Sequence, residues 1–272
     1  MKKAMILPAL VLALAMTGCG NVSKESGGVH SVPTVFNETV ISDEPAASGE
    51  QEVEELHSIE AQVQVIASNI DLWAGPEDYA DVYFYAVTDL DGNGRLEIIA
   101  SNMGGTGVYT YSSFYEVNED FNGLTAWEYM TQEGDSQADI AVDFVDGFYD
   151  SQKRVMYYIF EDFSKSGAAE YYENKRALYI EGSQVKEIIL AYRTTIYTDP
   201  ETEPEITCTD KDGNEISEEE YEAIADKVFA GLDKKKVYFG WCEFFEPDEL
   251  TNMSDEERVG ILAESYEKFK VK

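Results

Sequence analysis

Val82-Tyr83-Phe84-Tyr85-Ala86-Val87-Thr88-Asp89-Leu90-Asp91-Gly92-Asn93-Gly94-Arg95-Leu96-Glu97-Ile98-Ile99-Ala100 is two apolar runs around a short acidic turn. The runs are rich in aromatic and β-branched residues, which suit a pleated, half-buried surface. Asp and Asn favour turns by hydrogen-bonding nearby amides, and glycine supplies backbone conformations that other residues resist. A hairpin is therefore expected, with strands over Val82–Thr88 and Arg95–Ser101.

The turn carries more acid than a turn requires. Counting from Asp89, oxygen side chains occupy positions 1, 3, 5 and 9, and Gly94 stands at position 6. Asp89, Asp91 and Asn93 alternate, so a tight coil can point all three inward. Arg95 would offer its main-chain carbonyl while its side chain points outward, and Glu97 would close the shell. Such an all-oxygen set suits calcium. The alternative is a metal-free turn, but crowding three carboxylates together in an acidic chain costs repulsion.

The segment resembles the first half of an EF-hand loop, with Ala100 where that loop carries a bidentate Glu. Its strand flanks are more similar to the strand-loop-strand calcium hairpins of integrin-type propeller repeats. More closely, Asp-x-Asp-Gly-x-Gly-x-x-Glu between strands, with a helix before it, resembles a set of uncharacterised acidic lipoproteins of Gram-positive anaerobes. That resemblance covers about Gln51 to Val117. It implies an extracellular location and a fold style, and it implies no activity.

Outward from the hairpin, Val53, Leu56, Ile59, Val63, Ile66, Ala67 and Ile70 recur at helical spacing, predicting a helix from Gln51 to Leu72 that Gly75-Pro76 ends. Further strands are expected at 107–111, 114–118, 155–160, 177–181, 185–193 and 237–245. Ser217-Glu218-Glu219-Glu220 and Ser254-Asp255-Glu256-Glu257 read as capping boxes. Each precedes an apolar stripe: Tyr221, Ile224, Val228 and Leu232, then Val259, Leu262, Tyr266 and Phe269. The expected class is α+β: one domain over 51–272 with an antiparallel sheet, an N-terminal helix and two later helices packed on it.

The N-terminus points outside the cell. Lys2 and Lys3 precede an apolar stretch, Met5 to Met16, too short to span a bilayer. Met16-Thr17-Gly18-Cys19 resembles a lipobox. Residues 1–18 then form a signal peptide, Cys19 takes the lipid, and 19–50 is a small-residue, polar tether. The expected location is the outer face of a membrane. An ordinary cleavable signal beside an incidental cysteine is the alternative.

The full chain has 272 residues, 54 acidic and 20 basic, for a net charge of −34. Such a surface repels nucleic acid and attracts cations. At 44% hydrophobic and 12% aromatic, it is too apolar to be a disordered acidic chain. Cys208 and Cys242 either pair or stay as thiols. No Cys-x-x-Cys or histidine spacing suggests zinc. His30 and His57 are not placed as catalytic groups.

Two lesser acidic segments remain. Asp210-Lys211-Asp212-Gly213-Asn214-Glu215 opens like a second calcium loop but has Glu at position 6, which favours a plain turn. Asp135, Asp139, Asp143, Asp146 and Asp150 read as a solvated run or a second cation site. Gly104-Gly105-Thr106-Gly107 lacks the lysine and helix of a phosphate loop. The expected function is a calcium-stiffened, lipid-anchored surface module contacting a wall polymer, glycan or surface protein. A carboxylate-dependent hydrolase of the glycosidase kind is the alternative, although no pair of acids stands out and no Ser/His or Cys/His set is evident.

Overall fold

The computed structural model describes residues 57–75, 80–104, 109–131, 137–198 and 202–272. Cys19, the tether, Val53, Leu56 and Gly105–Thr106–Gly107 lie outside them. All described residues belong to one unit of the chain.

Helix α1 (Ile59–Ser68) starts where the Ser58 hydroxyl accepts the Ala61 amide at 3.1 Å. It buries Val63, Ile66 and Ala67, and α2 (Ile70–Trp73) continues its apolar face with Ile70 and Trp73. The expected hairpin follows as β1 (Val82–Thr88) and β2 (Glu97–Gly104), paired antiparallel from Val82↔Met103 to Thr88↔Glu97. Strand β3 (Tyr109–Val117) joins the two strand segments expected at 107–111 and 114–118 into one. It lies beside β2, and β4 (Leu124–Met130) lies beside it.

The second half is built of longer strands: β5 (Phe144–Asp150), β6 (Val155–Ser166), β7 (Glu170–Ile180) and β8 (Gln184–Ile196), paired in succession. The halves meet where β4 pairs with the start of β8, Glu128↔Gln184 to Met130↔Lys186. That pairing is parallel, so the sheet is mixed, whereas sequence predicts it wholly antiparallel. The end of β8 pairs with β9 (Glu205–Asp210), and β9 with β10 (Glu215–Ile216). β11 (Asp233–Tyr238) and β13 (Lys270–Val271) extend the β5 edge, and β12 (Cys242–Phe244) extends the β1 edge. The protein is therefore sheet-dominated.

Both capping boxes form. Ser217 begins α3 (Glu218–Glu222), but the helix breaks at Ala223 and resumes as α4 (Ile224–Val228). Tyr221 and Ile224 are buried as expected, while Val228 is exposed. Ser254 begins α5 (Asp255–Lys268), whose Leu262 is buried against the α1–β1–β2 core. A second core lies between the sheet halves around Phe114, Tyr158 and Val237. The third packs Tyr221, Ile224 and Phe229 on Phe148, Tyr157 and Ala191. No described helix is long and apolar enough to cross a membrane.

Candidate metal centre

The loop between β1 and β2 is held from both ends. Gly92 and Gly94 take φ of +67° and +86°, so both use the left-handed region that disfavours side chains. From helix α1, the Gln62 amide donates to the Gly94 carbonyl at 3.0 Å, and its oxygen accepts the Leu96 amide at 2.8 Å. From β6, the Tyr158 hydroxyl donates to the Leu90 carbonyl.

Within this frame, Asp89, Asp91 and Glu97 each offer a carboxylate oxygen, and the three oxygens lie within 4.8 Å of one another. Glu97 is fully buried. Its Oε2 accepts from the Thr88 hydroxyl at 2.9 Å and the Leu90 amide at 2.8 Å. Its Oε1 is buried with no hydrogen-bond partner. A buried carboxylate oxygen left without a donor is costly, and native structures rarely tolerate it without an ion or water.

The electrostatics agree. Burial pushes Glu97 well above the usual carboxylate range, and the charges of Asp91 and Asp89 push further, against the Leu90 amide. Burial also raises Asp89, although the Gly94, Asn93 and Gly92 amides pull it down. Asp91 is raised by burial and by Glu116 and Asp89, with the Asn93 amide opposing. Asp89 and Asp91 thus disfavour the ionised form of Glu97, and Asp89 that of Asp91, a conflict that a bound cation removes. The triad could hold a metal ion.

Asn93 and Arg95, the other expected ligands, act within the loop. Asn93 Oδ1 accepts the Arg95 amide at 2.7 Å, and Asn93 Nδ2 donates to Asp91 at 2.9 Å and to Glu116 at 2.6 Å. The Arg95 side chain does not point outward. It turns back to pair with Glu116 at 2.8 Å. Glu116 stands on β3 directly opposite Glu97, so Arg95 neutralises one carboxylate beside the triad. Gln62, Thr88, Glu116 and Tyr158 complete the site, and the loop sequence alone names none of them.

The lesser segments resolve otherwise. Asp210 accepts the Asp212 and Asn214 amides, each at 2.9 Å, and Gly213 takes φ +81°, making the turn between β9 and β10. Asp146 pairs with Lys236 and Lys234, and Asp150 caps the turn after β5 through the Gln152 amide. Asp139 accepts from Thr110. Among the described residues these acids do not converge on one point. Cys208 and Cys242 are both free, so the pairing alternative does not hold.

No family model, curated protein or solved structure matches the chain.

Proposed function

We propose that this chain is a lipid-anchored surface module of the α+β class in which one calcium ion, held by Asp89, Asp91 and Glu97, fixes the β1–β2 loop. The single observation that carries the metal reading is the bare, buried Oε1 of Glu97, a residue whose carboxylate clusters with those of Asp89 and Asp91. A metal-free turn accounts for Oε2, which Thr88 and Leu90 satisfy, but leaves Oε1 without a partner. Calcium is favoured over softer metals because the donors are oxygens, with no His or Cys among them. The Asn93 amide oxygen and the Arg95 carbonyl complete the shell in this reading, after a small adjustment of the loop. The outer-face location rests on the N-terminal signal and Cys19.

The chemistry is structural. Extracellular calcium modules bind at about 10⁻⁴ to 10⁻³ M, so such a site stays filled outside the cell and does not act as a sensor. At about 10 mM calcium this affinity stabilises the fold by ~1.4–2.7 kcal/mol. For a domain of this size that raises the melting temperature by about 3–10 °C. The test is a thermal melt of the protein in EDTA and in calcium, beside an Asp89→Ala/Asp91→Ala variant. A shift confined to the wild type supports the site. A wild type that melts at the same temperature in both overturns it.

A further inference from the structure

Counting from Asp89, Arg95 stands at position 7 of the loop, where only the main-chain carbonyl is asked of a calcium ligand. Coordination therefore places no demand on its side chain, yet that side chain turns inward. The guanidinium pairs with Glu116 at 2.8 Å, and the two side chains are 25% and 5% exposed. A longer contact, 3.8 Å to Glu119, reaches a carboxylate that is almost fully exposed, where an ion pair is worth little. The partner that matters to Arg95 is Glu116.

Glu116 is a further carboxylate at the rim of the triad. It lies directly opposite Glu97 across the β2–β3 pair, a like-charge pairing that costs stability unless something cancels it. One Asn93 nitrogen donates both to Asp91 Oδ2 at 2.9 Å and to Glu116 Oε1 at 2.6 Å, so a single amide group separates Glu116 from the triad. Glu116 is not among the converging oxygens, so it acts there as charge and not as ligand. Burial leads the upward shift of Asp89 and Asp91, the charge of Glu116 adds to both, and Arg95 opposes it at Asp91.

We infer that Arg95 sets the calcium affinity of the loop by cancelling the charge of Glu116, so that an entering ion meets the charge of the triad alone. This rests on the calcium reading and adds the tuning of the same site. Oxygen sites for calcium span roughly 10⁻⁹ to 10⁻³ M according to charge count and rigidity, and the ion pair keeps this loop toward the weak end. The same pair steadies the empty loop, because without it a nearly buried carboxylate would lie uncompensated beside the other acids. Loss of Arg95 therefore acts in opposite directions on the two states: the empty protein weakens and the grip on calcium tightens. An arginine that only packed the loop would, when lost, weaken both.

The test is calorimetric titration with calcium chloride, beside melts in EDTA, of the wild type, Arg95→Met, Arg95→Lys, Glu116→Gln and Arg95→Met/Glu116→Gln. Met keeps the main-chain carbonyl and much of the aliphatic stem, and Gln keeps an acceptor for Asn93. Arg95→Met should bind calcium about tenfold more tightly than the wild type while melting lower in EDTA. Glu116→Gln leaves the guanidinium unopposed and should bind about tenfold more weakly. Arg95→Lys keeps the charge, and the double variant loses both charges, so each should bind within about threefold of the wild type. Arg95→Met binding no tighter than the wild type overturns the inference, as does a double variant as tight as Arg95→Met. Should Arg95→Met fail to fold, Glu116→Gln decides, and wild-type affinity in it overturns the inference. A wild type that binds calcium while its affinity ignores both charges refutes the tuning alone. A wild type with neither binding heat nor melting shift refutes the calcium loop itself, and the tuning with it.

Discussion

The Gln62 side chain accepts the Leu96 backbone amide at 2.8 Å, so a polar residue on the buried face of helix α1 fixes the closing edge of the acidic loop. The same side chain donates to Gly94 at 3.0 Å and to the His57 carbonyl at 3.2 Å. The helix and the loop are thereby tied as one object. Gln62→Leu keeps much of the bulk but leaves the Leu96 amide and the Gly94 carbonyl without protein partners. Leaving such groups unpaired costs about 1–3 kcal/mol. Denaturant unfolding in EDTA should show that loss. A loss below about 0.5 kcal/mol would mean that water or a loop shift replaces both bonds.

Glu97→Gln separates the two roles of that position. Gln can still accept from Leu90 and Thr88, and it removes a buried charge facing Asp89 and Asp91. In EDTA the variant should be as stable as the wild type or more so, since an uncompensated buried carboxylate is costly. In calcium it should lose most of the wild type's melting shift, because the most buried anionic ligand is gone. Calorimetric titration beside the two melts checks both halves. A variant that is less stable in EDTA yet binds calcium as before refutes the assignment.

The hairpin and its acids were legible because their signal is local. The β1 bounds, Val82–Thr88, follow from the aromatic and β-branched run, and the loop follows from oxygen residues at alternate positions. Gln62 was also visible in principle, as a polar residue on the apolar stripe between Ile59 and Ile66. Glu116 and Tyr158 were not, because they reach the loop only through strand pairing far along the chain. The sequence offers no weight for such distant partners. Strands β4, β5 and β9 escaped for local reasons. β4 buries only Trp127, so its alternation is faint. β5 contains Gly147, which Met156 and Val237 crowd closely. β9 is an outlying strand with three exposed residues at its start. The parallel β4–β8 contact joins strands whose intervening chain is itself sheet, which no local pattern announces.

Asp162 should give the native state a pH dependence unrelated to calcium. Burial raises its pKa to about 6, against the pull of Arg176, which pairs with it at 2.7 Å. Glu187 on β8 and Asp139 before β5 push it up, and the Asp139 amide donates to it at 2.6 Å. Tyr129 on β4 stands close enough to feel its charge. An unfolded Asp titrates near 3.9, so from about pH 4 to pH 6 the folded state holds more protons. Stability from this group therefore falls as pH rises through that window and is level above it. The difference in unfolding free energy between wild type and Asp162→Asn should change across pH 4–6 and be constant from 7 to 8. A difference that is constant from 4 to 6 would show that Arg176 keeps the carboxyl ionised throughout.

Gly240 and Gly260 predict opposite responses to one added methyl group. A Cβ on Gly240 would sit 2.0 Å from the Ser265 carbonyl oxygen and 2.8 Å from Lys268 Cβ, so helix α5 would have to move away. The contact is tight because Ser265 is buried and bridges two elements. Its hydroxyl donates to the Gly240 carbonyl at 2.6 Å and accepts the Val87 amide at 2.9 Å. Moving α5 would break both bonds and open the α1–β1–β2 core around Leu262. Gly240→Ala should therefore cost at least about 3 kcal/mol. Gly260 lies on the exposed side of the same helix with nothing within 4 Å of its Cβ position. There Ala costs no contact and removes backbone freedom from the unfolded chain, so Gly260→Ala should stabilise by roughly 0.5–1 kcal/mol. Parallel denaturation of the two variants checks the pair. Similar effects in both would mean that α5 is not seated against β1 through the Gly240–Ser265 contact.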